Sequence, residues 1–101
     1  MKLILSPAAV QDLQSIADYT FRTWGTQQET QYLKGLWAKL DQMLDLPENH
    51  KPRLDLAIVC CSERCGKHVI FFRVLGDTLQ VIRILHGAMD FSTHVFEDPE
   101  Q

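Results

Sequence analysis

Two runs rich in β-branched and aromatic residues, Lys67-His68-Val69-Ile70-Phe71-Phe72-Arg73-Val74 and Thr78-Leu79-Gln80-Val81-Ile82-Arg83-Ile84-Leu85-His86, stand on either side of Leu75-Gly76-Asp77. A Gly-Asp pair between such runs predicts a hairpin closed by a two-residue turn, because glycine supplies the positive φ that so tight a reversal needs. With Leu75 opposite Thr78, counting outward fixes every cross-strand pair and, by the alternation of a strand, both faces. One face carries Val69, Phe71, Ile82 and Ile84, with Arg73 and Gln80 toward the turn and Lys67 and His86 at the open end. The other carries Ile70, Phe72, Val74, Leu79, Val81 and Leu85, together with His68 and Arg83. A sheet wet on one side alternates apolar and polar residues, so a ribbon apolar on both sides calls for a second cover besides its own helices, either the tail or a companion protein.

The remainder of the chain supplies a helical layer. Lys2-Leu3-Ile4-Leu5 reads as a short strand, and Ser6-Pro7 as the cap and first turn of a helix. Val10, Leu13, Ile16, Ala17 and Trp24, with Thr20 between the last two, mark its buried stripe, Tyr19 and Phe21 widen that stripe, and Gly25 ends the helix. Asp12, Gln14, Asp18 and Arg22 fall on its solvated side. Thr26-Gln27-Gln28-Glu29 has capping-box spacing for a second helix with the stripe Tyr32, Leu33, Leu36, Trp37, Leu40, Met43 and Leu44, stopped by Pro47. Gly35 inside it suggests close approach of the first helix. A polar connection around His50-Lys51-Pro52-Arg53 leads to a strand over Leu56–Cys61, a turn at Ser62-Glu63-Arg64, and the hairpin. Asp90 to Phe96 form at most one helical turn, and an acidic tail follows over residues 97–101. This order predicts a two-layer α+β domain over residues 1–96, β-α-α-β-β-β, with an antiparallel two-helix hairpin on a largely antiparallel sheet.

Composition narrows the class. A chain of 101 residues, 46% hydrophobic and 23% charged, folds as one domain without staples. No apolar run is long enough for a membrane span or a signal h-region, which reads as a cytoplasmic protein with no membrane partner. Cys60, Cys61 and Cys65 are an odd, clustered set that reads as reduced thiols. Strand geometry points the first two to opposite faces, so neither a zinc site nor any other metal or cofactor is expected. The net charge is −3, yet residues 49–86 hold six basic side chains against three acidic ones. A domain that grips nucleic acid unaided shows a strong overall basic excess, so this distribution favours a protein partner over direct, stable nucleic-acid binding.

Read together, Leu5-Ser6-Pro7-x-Ala9-x-x-Asp12-Leu13-x-x-Ile16-x-x-Tyr19, Trp24-Gly25, Pro52-Arg53, Gly66 to Val74 and Ile82-Arg83-Ile84-Leu85-His86-Gly87-x-Met89-Asp90-x-x-x-His94 resemble the ParE branch of the RelE/ParE toxin superfamily. The resemblance implies a type II toxin that stabilises plasmids or arrests growth by acting on DNA gyrase, with its A-type subunit the implied contact. It also implies a small ParD-like antitoxin that wraps the toxin in a hetero-oligomer. An antitoxin segment folding onto the face of Ile70, Phe72, Val74, Leu79, Val81 and Leu85 would be a standard recognition mode. Target contacts are expected at Arg53, Lys67, His68, Arg73, Arg83 and His86.

The RelE branch of the same superfamily cuts messenger RNA on the ribosome, which needs a base, an acid and cations for the phosphate. His68, Arg83, His86 and His94 are the candidates for that alternative. The only tyrosines, Tyr19 and Tyr32, lie in the predicted helices, and a tail tyrosine of the kind several such nucleases use is missing. A non-toxic interaction module of the same fold is the third class. Each candidate also has a structural reading: Arg83 paired with Asp90 or Glu63, His68 and His86 as scaffold, Asp90 as a cap, and Lys51 and Arg53 as solvated loop cations.

Overall fold

Ser6 and Pro7 open the first helix as their chemistry dictates. The Ser6 hydroxyl accepts from the Ala9 amide at 3.0 Å and donates to the Ile82 carbonyl at 2.7 Å, while Pro7 occupies the first turn, where an amide would have no partner. A computed structural model describes residues 1–45, 52–53 and 60–88. Their order is β1 (Lys2–Leu5), α1 (Pro7–Trp24), α2 (Thr26–Met43), β2 (Pro52–Arg53), β3 (Cys60–Cys65), β4 (His68–Leu75) and β5 (Thr78–His86). The strands form one sheet in the order β1-β5-β4-β3-β2, antiparallel throughout except that β1 runs parallel to β5. Ala9, Leu13 and Ile16 of α1 and Leu36, Leu40 and Met43 of α2 bury themselves with Ile70, Phe72, Leu79, Val81 and Ile84 in one cluster between the layers. The expected two-layer α+β architecture is the one the chain adopts.

The hairpin turn falls where the Gly-Asp pair places it. Gly76 takes φ +59° and Asp77 stays out of the positive region, the pattern of a turn with glycine at its first central position. The same device closes β3 onto β4: Gly66 also takes φ +59°, with Cys65 opposite His68. Ser62, Glu63 and Arg64, expected to turn, are instead extended within β3 opposite Phe71, Ile70 and Val69. Gly66 is the residue of that stretch that tolerates a positive φ, and the reversal waits for it.

Register agrees with the outward count from Leu75–Thr78 as far as Phe72–Val81, and then slips. Ile82 has no residue of its own opposite it on β4, Phe71 stands opposite Arg83, and His68 stands opposite His86. Without this bulge Arg83 would lie opposite Ile70 and point into the helix-packed core; the extra residue brings Ile84 there instead. Ile84 and Leu85 therefore exchange the faces expected of them. Leu85 joins Cys60, Val69, Phe71 and Ile82 in a second buried cluster that contains no residue of α1 or α2.

The face expected to await a companion is closed by the chain itself. Ile70, Phe72, Leu79 and Val81 are all 0% exposed beneath α1 and α2, whereas Val74 near the turn stays partly open. The helices are narrower in their burial than their apolar content suggested. On α1 the inner line is Ala9, Leu13, Ile16 and Thr20, leaving Val10, Tyr19, Phe21 and Trp24 exposed; on α2, Trp37 is exposed. Gly25, at φ +91°, is the whole connection: its amide donates to the Phe21 carbonyl at 2.8 Å and its carbonyl accepts from Glu29 at 3.1 Å. It takes the cap position expected of Thr26, so no side-chain capping bond forms. Gly35 has open space where a Cβ would stand, which overturns the expected close approach of α1.

Candidate functional site: a groove at the open end of the hairpin

β1 ends at Leu5, and past that point the outer edge of β5 would be bare. The start of α1 fills the gap with side chains. Ser6 takes the Ile82 carbonyl, and the Asp12 carboxylate accepts from the Ile84 amide at 2.9 Å. Asp12 also receives Arg83 in a two-pronged pair, Nε to Oδ2 at 2.8 Å and Nη2 to Oδ1 at 2.9 Å. The fork geometry of guanidinium and carboxylate makes this the strong kind of ion pair. Asp12 was expected on a solvated face, and Arg83 was expected to meet Asp90 or Glu63. Glu63 is held by Lys39 at 3.0 Å, and Asp90 lies outside the described residues.

Tyr32 reaches the same region from α2. Its hydroxyl lies 2.6 Å from His68 Nδ1, accepts from the Lys67 amide at 3.0 Å, and has the Cys65 carbonyl at 3.5 Å. A hydroxyl has one proton to place, and the 2.6 Å contact to Nδ1 is far shorter than the 3.5 Å contact to the Cys65 carbonyl. Placed on the shorter contact, that proton leaves His68 accepting at Nδ1 with its own proton on Nε2. Burial pushes the His68 imidazole below its usual range and the neighbouring His86 pushes it the same way, with Asp12 opposing. A neutral ring at neutral pH is what the hydrogen bond needs. Burial raises the Tyr32 hydroxyl, partly offset by the bond from Lys67. The His68 and His86 rings meet edge to face, with centroids 5.4 Å apart, and His86 Nδ1 accepts from the Ala88 amide at 3.1 Å.

Around these groups runs a groove of about 690 Å³, bounded by the C-terminal two-thirds of α1, the first half of α2 and the open end of the hairpin. Asp12, Tyr32, Lys67, His68, Arg83 and His86 form its polar side, and Tyr19 and Trp24 form an aromatic rim. Of the residues singled out in the sequence, Lys67, His68, Arg83 and His86 are brought together here. Arg73 is not: it sits near the far turn, donating to Gln80 at 2.9 Å. Arg53 contributes its backbone to β2, while its side chain and all of His94 lie outside the described residues. Tyr32 and Asp12 are the members the sequence reading missed. Asp12 stands in the resembling motif, and Tyr32 at the edge of an apolar stripe, so the faint signal was a polar atom on an otherwise buried helix face. No disulfide joins Cys60, Cys61 or Cys65, and burial raises the thiols of Cys61 and Cys65.

A two-helix hairpin laid on this mixed sheet, with a mixed aromatic and cationic groove at its open end, defines a small α+β domain of the RelE/ParE fold. It is similar to the solved structure "Chromosomal ParDE TA system from P. aeruginosa", with a TM-score of 0.75 at 18% identity over 85% of this chain and 95% of that one. Residues 3–91 match the profile of the family described as "ParE toxin of type II toxin-antitoxin system, parDE". The chain is 34% identical to Toxin ParE1 of Mycobacterium tuberculosis, over 88% of its own length and 92% of the relative's. It is 33% identical to Toxin ParE1 of Caulobacter vibrioides, over 90% and 94%. The protein belongs to the ParE toxin family. Among the described residues, no helix is long and apolar enough to cross a membrane.

Proposed function

We propose that the chain inhibits DNA gyrase by docking onto it through the groove, and that a ParD-like antitoxin holds it silent in a hetero-oligomer. The observation that carries docking over bond cleavage is the engagement of the groove's polar groups with one another. Arg83 is matched by a carboxylate in the same groove, and His68 Nδ1 is occupied by the Tyr32 hydroxyl. A phosphodiester cutter needs a cation for the phosphate and a base for the hydroxyl, and with the Arg83 guanidinium and His68 Nδ1 engaged those tasks would fall to Lys67 and His86. An aromatic rim of Tyr19 and Trp24 around a few oriented polar groups is instead the makeup of a protein interface. The same apolar side chains, with Val10, Phe21 and Val74, are the accessible surface an antitoxin segment could cover; Ile70, Phe72, Leu79 and Val81 could receive it only if α1 and α2 moved aside.

Producing the chain without its antitoxin and assaying gyrase supercoiling and ribosome-associated messenger RNA separately tests the reading. Growth arrest and loss of supercoiling with intact RNA are expected. RNA cuts with intact supercoiling would establish the RelE-type nuclease, which the histidine pair beside Lys67 favours, and harmless expression would leave an interaction module. Lys67→Glu, at an exposed rim position, is expected to weaken inhibition about tenfold while the protein stays folded.

A further inference from the structure

The tightest polar junction in the groove belongs to a helix residue that none of the assignments above gives a role. Tyr32 ties three segments: α2 that carries it, the Gly66–Lys67 turn through the Lys67 amide, and β4 through His68. Gly66 is shaped to it, since a Cβ there would stand 2.8 Å from the Tyr32 oxygen. His68 in turn meets His86 across the hairpin. Every candidate contact at this end of the groove except Arg83 is thus placed, directly or through one neighbour, by a single hydroxyl. A phenylalanine would fill the same space in the apolar cluster Tyr32 packs against, so burial alone does not explain the oxygen.

We infer that Tyr32 is the positioning residue of the groove: its hydroxyl sets the place of the Gly66–Lys67 turn and the tautomer of His68, and through them the docking of Lys67, His68 and His86 onto the target. This rests on the groove being the docking surface. With the hydroxyl donating to Nδ1, the ring offers Nε2–H as its one donor and has no free acceptor, so a partner meeting His68 must present an acceptor. Tyr32 does not touch the target; it decides what the target finds.

The test is Tyr32→Phe in the full chain, compared with wild type in the supercoiling assay and by nitrogen-detected NMR of the histidine rings. The wild-type ring of His68 is expected to be protonated at Nε2; in the variant the two tautomers are expected to mix and the ring to titrate at a higher pH. Inhibition is expected to fall about fivefold, the equivalent of one hydrogen bond of about 1 kcal/mol. His68→Asn, which keeps an acceptor where Nδ1 stood, is expected to retain a slowly exchanging Lys67 amide, whereas His68→Leu loses it. A wild-type ring protonated at Nδ1, or unchanged inhibition in a Tyr32→Phe protein whose His68 tautomers have mixed, overturns the inference. A wild-type chain that leaves gyrase untouched sinks the docking reading instead, and the NMR result still decides whether Tyr32 sets the ring. Should Tyr32→Phe fail to fold, the wild-type tautomer decides whether the hydroxyl sets the ring, and the His68→Asn and His68→Leu pair decides whether that bond holds the hydroxyl in place for the Lys67 amide.

Discussion

Gly66 and Tyr32 form a matched pair, and their fit makes a sharp expectation. Any side chain at Gly66 must hold φ +59° and also push the Tyr32 ring, which lies 3.1 Å away at Cε1 as well as 2.8 Å at the hydroxyl. Gly66→Ala is therefore expected to cost about 2 kcal/mol in urea unfolding, from left-handed strain plus the loss of a hydrogen bond. Combined with Tyr32→Phe the costs should fall short of additive, because both substitutions break the same contact. Gly76, with the same φ and open space around it, should show the strain alone. These two glycines look alike in the sequence, and what separates them is a tyrosine more than thirty positions away. That long-range fit is why Tyr32 read as core: helical spacing reports which side a residue faces, and nothing about what its last atom meets.

Elements divide into those whose local chemistry suffices and those settled by their neighbours. The Ser6-Pro7 start of α1, the Gly25 stop and the Gly76-Asp77 turn were legible because each rests on a residue's own φ or hydroxyl. The β5 bulge was not, since nothing in Val81-Ile82-Arg83 announces an extra residue; it follows from keeping Arg83 out of the helix-packed core, a requirement of packing. The exposed flank of α1 was missed for a related reason. Tyr19 and Trp24 have the apolar character of core residues, but the sheet is reached through Ala9, Leu13, Ile16 and Thr20, leaving the rings to the groove. The clamp between α1 and β5 then falls to Asp12. Asp12→Ala would remove the carboxylate that Arg83 and the Ile84 amide share and is expected to cost about 2–4 kcal/mol by denaturant unfolding. An Arg83→Glu protein would set two carboxylates against each other at the same spot, so its loss of activity would say little about the target.

At the scale of the molecule, the shifted groups predict how stability follows pH. His68 titrates below its ordinary range in the folded chain, among His86, Asp12, Lys67, Tyr32 and Arg83. The unfolded chain therefore takes up that proton first as pH falls. Stability is complete above the ordinary imidazole value and is lost between it and the lower folded value, so Tm is expected to drop from about pH 7.5 to 5.5 and less so in His68→Gln. Tyr32, Cys61 and Cys65 are raised, so on the alkaline side the unfolded chain releases its protons first and stability declines again. The parallel pairing of β1 with β5 has a separate consequence in time. Lys2 rests opposite Thr78 and Leu5 opposite Val81, so a nascent chain leaving the ribosome must wait for residue 81 before its first strand finds a mate. At ordinary elongation speed that is an interval of about 4–16 s, during which the domain is unfinished and any activity requiring the closed sheet has yet to begin.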